Sequence, residues 1–362
     1  MRITGVEARL YRFIWEPPLL AAWDPQPRHH QNACIVSVHT DEGISGHASG
    51  DFLPDHAAVE RFFAGVDPMR TEVIRELCET IDFHGGRPWT AEAAVWDLVG
   101  RVTNQPVWKL MGGRNEQLVA YASNAERVSA SERADRILAQ NADGIRAFKI
   151  RFHDPDWRKD LAVVEHVREV VGYDIEIMVD ANHCFTVPQA INMGRELERL
   201  DVSWFEEPIS PEDNDGYIEV TRALDIAIAG GENEFTKYGF RRILASRSMD
   251  IVQPDVCAAG GITECKKIAA LAQASATACV PHAWGTAIGL AATIHYLASL
   301  PETPMCLFPV SPMLEYEQTF NPFRDLLAKE PIVHKDGFVD VSMKPGLGVD
   351  VDRAVLAKYR VK

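Results

Sequence analysis

The chain has 362 residues, 46% of them hydrophobic, and a formal net charge of −15. That composition supports a large core and excludes a disordered chain, and the acidic balance argues against nucleic acid or an anionic membrane as partner. The seven cysteines are odd in number, form no CxxC pair and several fall in apolar runs, so they read as free thiols in a reducing compartment. No apolar stretch reaches transmembrane length, and the expected location is the cytoplasm.

In chain order, ITGVEARLYRF and NACIVSVHTDEG read as two strands. Between them LLAAWDPQPRHHQ lacks any periodic pattern and reads as an exposed loop, and a second irregular stretch, HASGDFLPDH, follows the hairpin. TAEAAVWDLVGRVTNQPVWKLMGG places apolar residues at helical spacing and stops on Gly-Gly. From Leu118 onward come eight strand candidates: LVAYAS, GIRAFKI, IEIMVD, VSWFE, IAIAGG, DIVQP, TACVPH and MCLFP. Helical segments such as DLAVVEHVREVV and VPQAINMGRELERL separate them, which is the pattern of an α/β chain closing into a (β/α)8 barrel. The tail, with GFVDVSMKPGLGVDVD, reads as a short hairpin or strand returning to the first block. The expected divisions are an α+β block over 1–117, a barrel over 118–329 and a C-terminal segment over 330–362.

Asp180, Glu206 and Glu232 are each 26 residues apart, and each closes an apolar run. One strand, one helix and two loops occupy such an interval, so barrel geometry carries all three acids to one mouth. Like charges brought together repel unless a cation lies between them, and an all-oxygen set suits a hard divalent ion, Mg²⁺ first and Mn²⁺ as the alternative. Upstream, Lys149 and Arg151 are two apart and point to one side of a strand; downstream, IVQPD ends in Asp255 and CVPH in His282. A single Asp after one strand would be an ordinary helix cap, but six successive charged or titratable strand ends are not explained that way. The set suits proton abstraction next to a carboxylate: Mg²⁺ and Lys149 stabilise the enediolate, and His282 acts as base, oriented by Asp255.

WDLVGRVTNQPVWKLMGG, VDAN, WFEEP, GGEN, QPD, PHAWGT and PGLGVDVD together resemble the enolase superfamily, in its mandelate racemase subgroup, over essentially the whole chain. The resemblance implies a modified TIM barrel with an α+β N-terminal capping domain completed by the C-terminal tail. It implies that Asp180, Glu206 and Glu232 ligate the metal and that Asn182 and Glu207 lie beside them. Asp255 and His282 match a His–Asp dyad. Two cap loops, near Trp23–His30 and His47–His56, would close over the substrate, which makes Trp23, His29, His30 and His47 substrate-facing. DANH, VPHAWGT and NPFR are most similar to the sugar-lactone cycloisomerase branch.

Two departures from the family stand out. Lys149-Ile150-Arg151 replaces the usual Lys-x-Lys, and a guanidinium is a poor base, so Arg151 reads as an electrostatic clamp. The eighth-strand stretch CLFPVSP offers no acid where the racemase has a glutamate; Glu302 and Glu315 flank it. With a base on one face only, the leading expectation is a carbon–oxygen lyase that dehydrates a sugar acid. Opening of a sugar-acid lactone, an isomerase reaction, is the alternative, ahead of racemisation and of a non-catalytic sugar-acid-binding scaffold. The expected partner is a small carboxylate, a sugar acid or its lactone, and the chain is expected to form a homo-oligomer.

Overall fold

The computed structural model describes residues 1–50, 54–84, 86–302 and 311–361. Alternating burial along the N-terminal segment builds a three-stranded antiparallel sheet, β1 (Ile3–Leu19), β2 (Arg28–Thr40) and β3 (Ser45–Gly50), in that order. Both strands flanking the proline-rich loop are longer than their composition suggests. Pairing of Ile14 with His30 and Leu19 with Arg28 brings His29 and His30 into β2. Partner-strand pairing overrides weak local propensity here. HASG, read as irregular, is likewise strand, because it pairs with Cys34–Ser37. Of that stretch, 51–53 lie outside the described residues, and His56 opens the helix His56–Phe63.

The helix Trp89–Val102 packs beneath this sheet, with most of its residues buried. Gly46 of β3 rests on it so closely that a Cβ would come within 2.2 Å of the Ala94 carbonyl oxygen, and only glycine permits that contact. From the same helix Glu92 reaches the barrel, accepting from the backbone N–H of Ile262 (2.7 Å) and Thr263 (3.1 Å) at the start of the helix Gly261–Ala274. Burial pushes the Glu92 carboxyl up to about 7 against those hydrogen bonds.

Seven parallel strands follow in chain order and in spatial order: β4 (Gln117–Ser123), β5 (Ala147–Arg151), β6 (Glu176–Asp180), β7 (Val202–Glu206), β8 (Ala227–Gly230), β9 (Ile251–Val252) and β10 (Ala278–Cys279). The chain folds as an α/β protein with a (β/α)8 barrel and an N-terminal cap. The eighth strand, β11 (Leu314–Glu317), pairs in parallel with β4. Its sequence is LEYE; the expected MCLFP, 305–309, lies outside the described residues. Among the described residues no ladder joins β10 to β11, so the ring of strand pairing is open there.

Inside the barrel Tyr121, Ala147, Met178, Trp204, Ala229 and Val280 form a separate apolar plug. Strand side chains alternate, so the positions two residues further on point the same way. Those positions include Lys149, Asp180, Glu206 and His282, which stand one step above the plug. The tail forms a hairpin, β12 (His334–Lys335) with β13 (Phe338–Asp340), that pairs with the start of β4 before the helix Arg353–Tyr359 reaches β1. It thus meets the barrel first and the cap afterwards. Among the described residues no helix is long and apolar enough to cross a membrane.

Candidate active site

Lys149 and Arg151 stand on β5 and are buried. The Lys149 ammonium lies 2.6 Å from Glu206 Oε1, 2.8 Å from Glu315 Oε1 and 3.8 Å from Asp180 Oδ2. Arg151 pairs with Asp180 and donates to Asn182 Oδ1 (3.3 Å), Ser123 Oγ (3.3 Å) and Glu315 Oε1 (3.4 Å). Burial works against both charges, but Glu206 and Glu315 hold Lys149 well above its ordinary value, and Asp180 and Glu315 do the same for Arg151. Both side chains present positive charge to these carboxylates.

Glu206 is fully enclosed. Trp204 Nε1 (3.0 Å) and Gln253 Nε2 (2.8 Å) donate to its other oxygen. Burial first, then repulsion from Asp180 and Glu315, raises its pKa despite Lys149. Glu232, just beyond β8, is pushed up to about 7 by burial and by Glu207 and Glu206, against the pull of His282. The His282 ring places Nδ1 at 2.7 Å from Asp255 Oδ2 and Nε2 at 3.4 Å from Glu232 Oε2. Burial would lower its pKa; Glu232, Asp255 and Glu315 outweigh that and raise it well above the usual imidazole value.

Six carboxylates, Asp180, Glu206, Glu207, Glu232, Asp255 and Glu315, thus share this region with two permanent cations. Such an excess of oxygen donors fits a hard divalent ion. Lys149 bridges Asp180 and Glu206, and among the described residues no three ligands are drawn together around one metal position. The donor chemistry fits; the geometry is that of ion pairs.

Residues 131–355 match the family model for the enolase C-terminal domain-like fold. The chain belongs to the enolase superfamily. It is 34% identical to the D-galactarolactone cycloisomerase of Agrobacterium fabrum (strain C58), covering 100% of this chain and 99% of that one. It is 32% identical to the arabinonate dehydratase of Saccharolobus solfataricus, over 75% of this chain and 71% of that one. The crystal structure of the 3,6-anhydro-D-galactonate cycloisomerase from Zobellia galactanivorans superposes with a TM-score of 0.87, at 32% identity and full coverage of both chains. Enolase superfamily members are Mg²⁺-dependent.

For this superfamily member, the acid missing from CLFPVSP is present one turn of chain later. Glu315 on β11 is buried, touches Lys149 and Arg151 and accepts from the backbone N–H of Ala283 (3.2 Å). Burial would raise its pKa, but Lys149, His282 and Arg151 hold it well below the carboxylate range. Its strand is only four residues long, and a buried glutamate gives no hydrophobic signal, so the sequence places Glu315 only as a flank of CLFPVSP. His183 was also unassigned. It follows β6 in a turn where Asn182 and His183 both have positive φ (41° and 65°), and its ring pairs with Glu207. Left-handed backbone at such residues costs roughly 1–2 kcal/mol each.

A loop of the cap meets this mouth. Trp23 lies over the Arg151 guanidinium (4.8 Å) and edge-on to Trp284 (5.0 Å). Arg127, after β4, fastens that loop by donating to the carbonyl oxygens of Ala21 (3.1 Å), Ala22 (3.4 Å) and Asp24. Trp23, Arg151, His183, Glu232, His282 and Trp284 all border a cavity of about 350 Å³. His29 and His30 line a neighbouring cleft that shares Arg28 and Trp284 with it, so they stand beside the mouth and not in it. His47 is a clear correction. Strand alternation turns it away from Gly46 and Ala48, its Nδ1 meets Ser37 Oγ (2.9 Å), and it faces a different cavity beside the helix Arg353–Tyr359.

Proposed function

We propose that this enzyme removes the proton α to the carboxylate of a sugar acid and expels the oxygen on the neighbouring carbon, giving a 2-keto-3-deoxy acid. One observation carries the reading: His282 Nδ1 lies 2.7 Å from Asp255, the arrangement that orients an imidazole for proton transfer, whereas β5 presents only an ammonium and a guanidinium, each paired with carboxylates. A racemase needs a base on each face of the carbon, and β5 supplies none. In this reading Asp180, Glu206 and Glu232 hold Mg²⁺, which when bound neutralises negative charge developing on the carboxylate of the substrate. Lys149, with Arg151 beside it, donates to that same carboxylate. His282 takes the α-proton at Nε2 while Asp255 keeps Nδ1–H in place. Trp23 and Trp284 limit water above the reacting carbon.

The relatives named above act on sugar acids or their cyclic forms by their own titles, which supports that substrate class. Dehydration is our leading reading. Opening of a lactone ring is the second, favoured by the full-length similarity to the galactarolactone enzyme. Mass spectrometry of a panel of aldonates, aldarates and their lactones, with Mg²⁺, tests both. Loss of one water marks dehydration, and a product of unchanged mass from a lactone marks ring opening. His282→Asn should abolish either. An inactive wild type across the panel, or full turnover in His282→Asn, would sink the proposal.

A further inference from the structure

The outer face of the cap sheet carries a basic cavity that the steps above do not use. Residues paired across an antiparallel sheet share a face, so Glu7, Ser37 and His47 form one row and Arg9 and Ile35 the next. Tyr11 follows two residues further along β1, on the same face. The opposite face, with Gly46, rests on the helix Trp89–Val102. Over the outer face lies the helix Arg353–Tyr359. It is fixed there by the Val361 N–H, which donates to the Leu10 carbonyl (3.1 Å), and by Phe13 against Tyr359 (5.6 Å between ring centroids). A cavity of about 400 Å³ remains between sheet and tail, and Arg353 and Arg360 line it from the tail.

The charge of this cavity runs against that of the chain. On a protein of net charge −15, three guanidiniums and one carboxylate meet here. The carboxylate, Glu7, is engaged by Arg9 at 2.8 Å. Arg353 and Arg360 have no ion pair among the described residues. Burial lowers the pKa of His47 and favours its neutral form, so the positive charge rests on the arginines. Tyr11 is 5% exposed, borders the cavity, and its hydroxyl has no hydrogen-bond partner among the described residues. Burial raises its pKa against the pull of Arg9 and Arg360, so the proton stays on and is available to donate. A buried donor without an acceptor, beside two guanidiniums without a counter-charge, is a set that an oxyanion completes. Ile35, Val351 and Leu356 add an apolar wall, which a bare inorganic ion does not need.

We propose that this cavity is a second binding site, for a small organic dianion: a phosphate monoester or a dicarboxylate. Arg353 and Arg360 pair with its negative oxygens, Tyr11 donates to one of them, and the carbon skeleton lies on Ile35 and Leu356. Because the ligand touches both the tail and the cap sheet, binding also holds the tail on the cap.

The experiment is isothermal calorimetry on the full chain with Mg²⁺, using phenyl phosphate, glutarate and inorganic phosphate. Phenyl phosphate or glutarate should bind, the tighter of the two naming the source, and inorganic phosphate more weakly than that one. Arg353→Gln and Arg360→Gln should each weaken binding about tenfold or more, and Tyr11→Phe about three- to tenfold, with turnover unchanged in all three. Arg151→Met should leave this binding intact, which separates the cavity from the mouth. The assignment falls if neither organic anion binds at millimolar concentration, or if inorganic phosphate binds as tightly as both. It falls equally if both tail variants bind as the wild type does, or if binding is lost in Arg151→Met. Sedimentation showing that the tail variants dissociate an oligomer would make the cleft a contact between copies, and would overturn it too.

Discussion

Strand β5 and the loops after β6 and β10 each bring two positively charged groups to one mouth, yet they can do different chemistry. Lys149 and Arg151 have side-chain exposures of 0% and 3%, and each meets at least two carboxylates. His282 and His183, on loops, have exposures of 13% and 32%; His282 meets Asp255 and Glu232, and His183 meets Glu207. A buried cation crowded by acids cannot release its proton, so β5 can only stabilise negative charge. An imidazole titrates near neutral pH, so a ring oriented by a carboxylate, as His282 is by Asp255, is the kind of group suited to moving one. The difference lies in where each side chain sits on the barrel, strand or loop, more than in its formal charge.

The sharpest way to break this comparison is to unseat one imidazole without touching β5. Asp255→Asn should leave the fold intact and lower turnover about 10²- to 10⁴-fold, since His282 loses its orienting acceptor. Steady-state kinetics with circular dichroism would check it, and undiminished turnover would mean that the dyad does not work as a unit.

Arg151→Met tests the other half. Turnover should fall about 10²- to 10³-fold through lost charge stabilisation, while NMR in D₂O should show label on the same single face as in the wild type. Wild-type exchange on both faces, with one abolished by this substitution, would make β5 a proton-moving element after all.

A smaller effect is expected where the cap loop is fastened. Arg127→Met removes the donors to Ala21, Ala22 and Asp24, so KM should rise about tenfold with kcat nearly constant, as expected for roughly 1.4 kcal/mol of lost positioning. A fall in kcat at constant KM would show that the loop acts on the chemistry and not on substrate capture.

The least effect on turnover, and a distinct one on stability, belongs to Glu92. Its folded-state pKa of about 7 is raised from 4.5, so the stability linked to it is full below about 4.5 and lost as pH rises through about 7. The span corresponds to about 3 kcal/mol for this buried group. Urea unfolding at pH 4.5 and pH 8 should show that component in the wild type and its absence in Glu92→Gln; identical pH slopes in the two proteins would refute it.

Much of the barrel is legible in the sequence. Asp180, Glu206 and Glu232 recur at the interval of one βα unit, and residues two apart on a strand share a face, so Lys149 and Arg151 had to point to one side. His282 and Asp255 fall on the same ladder for the same reason. Local composition could not single out LEYE, a short run with two acids that forms a strand through its pairing with β4. Glu315 is tolerated in the interior because Lys149 and Arg151, on β5 one strand beyond β4, reach its carboxylate. Nor could composition separate the cap histidines: His29 and His30 follow the pairing of β1 with β2, and His47 faces away because β3 alternates about Gly46 and Ala48. His183 depends on a left-handed turn held by the loop after β7. Periodicity along one chain determines which residues share a face; which faces meet, and which buried charges find partners there, is decided by contacts between segments far apart in sequence.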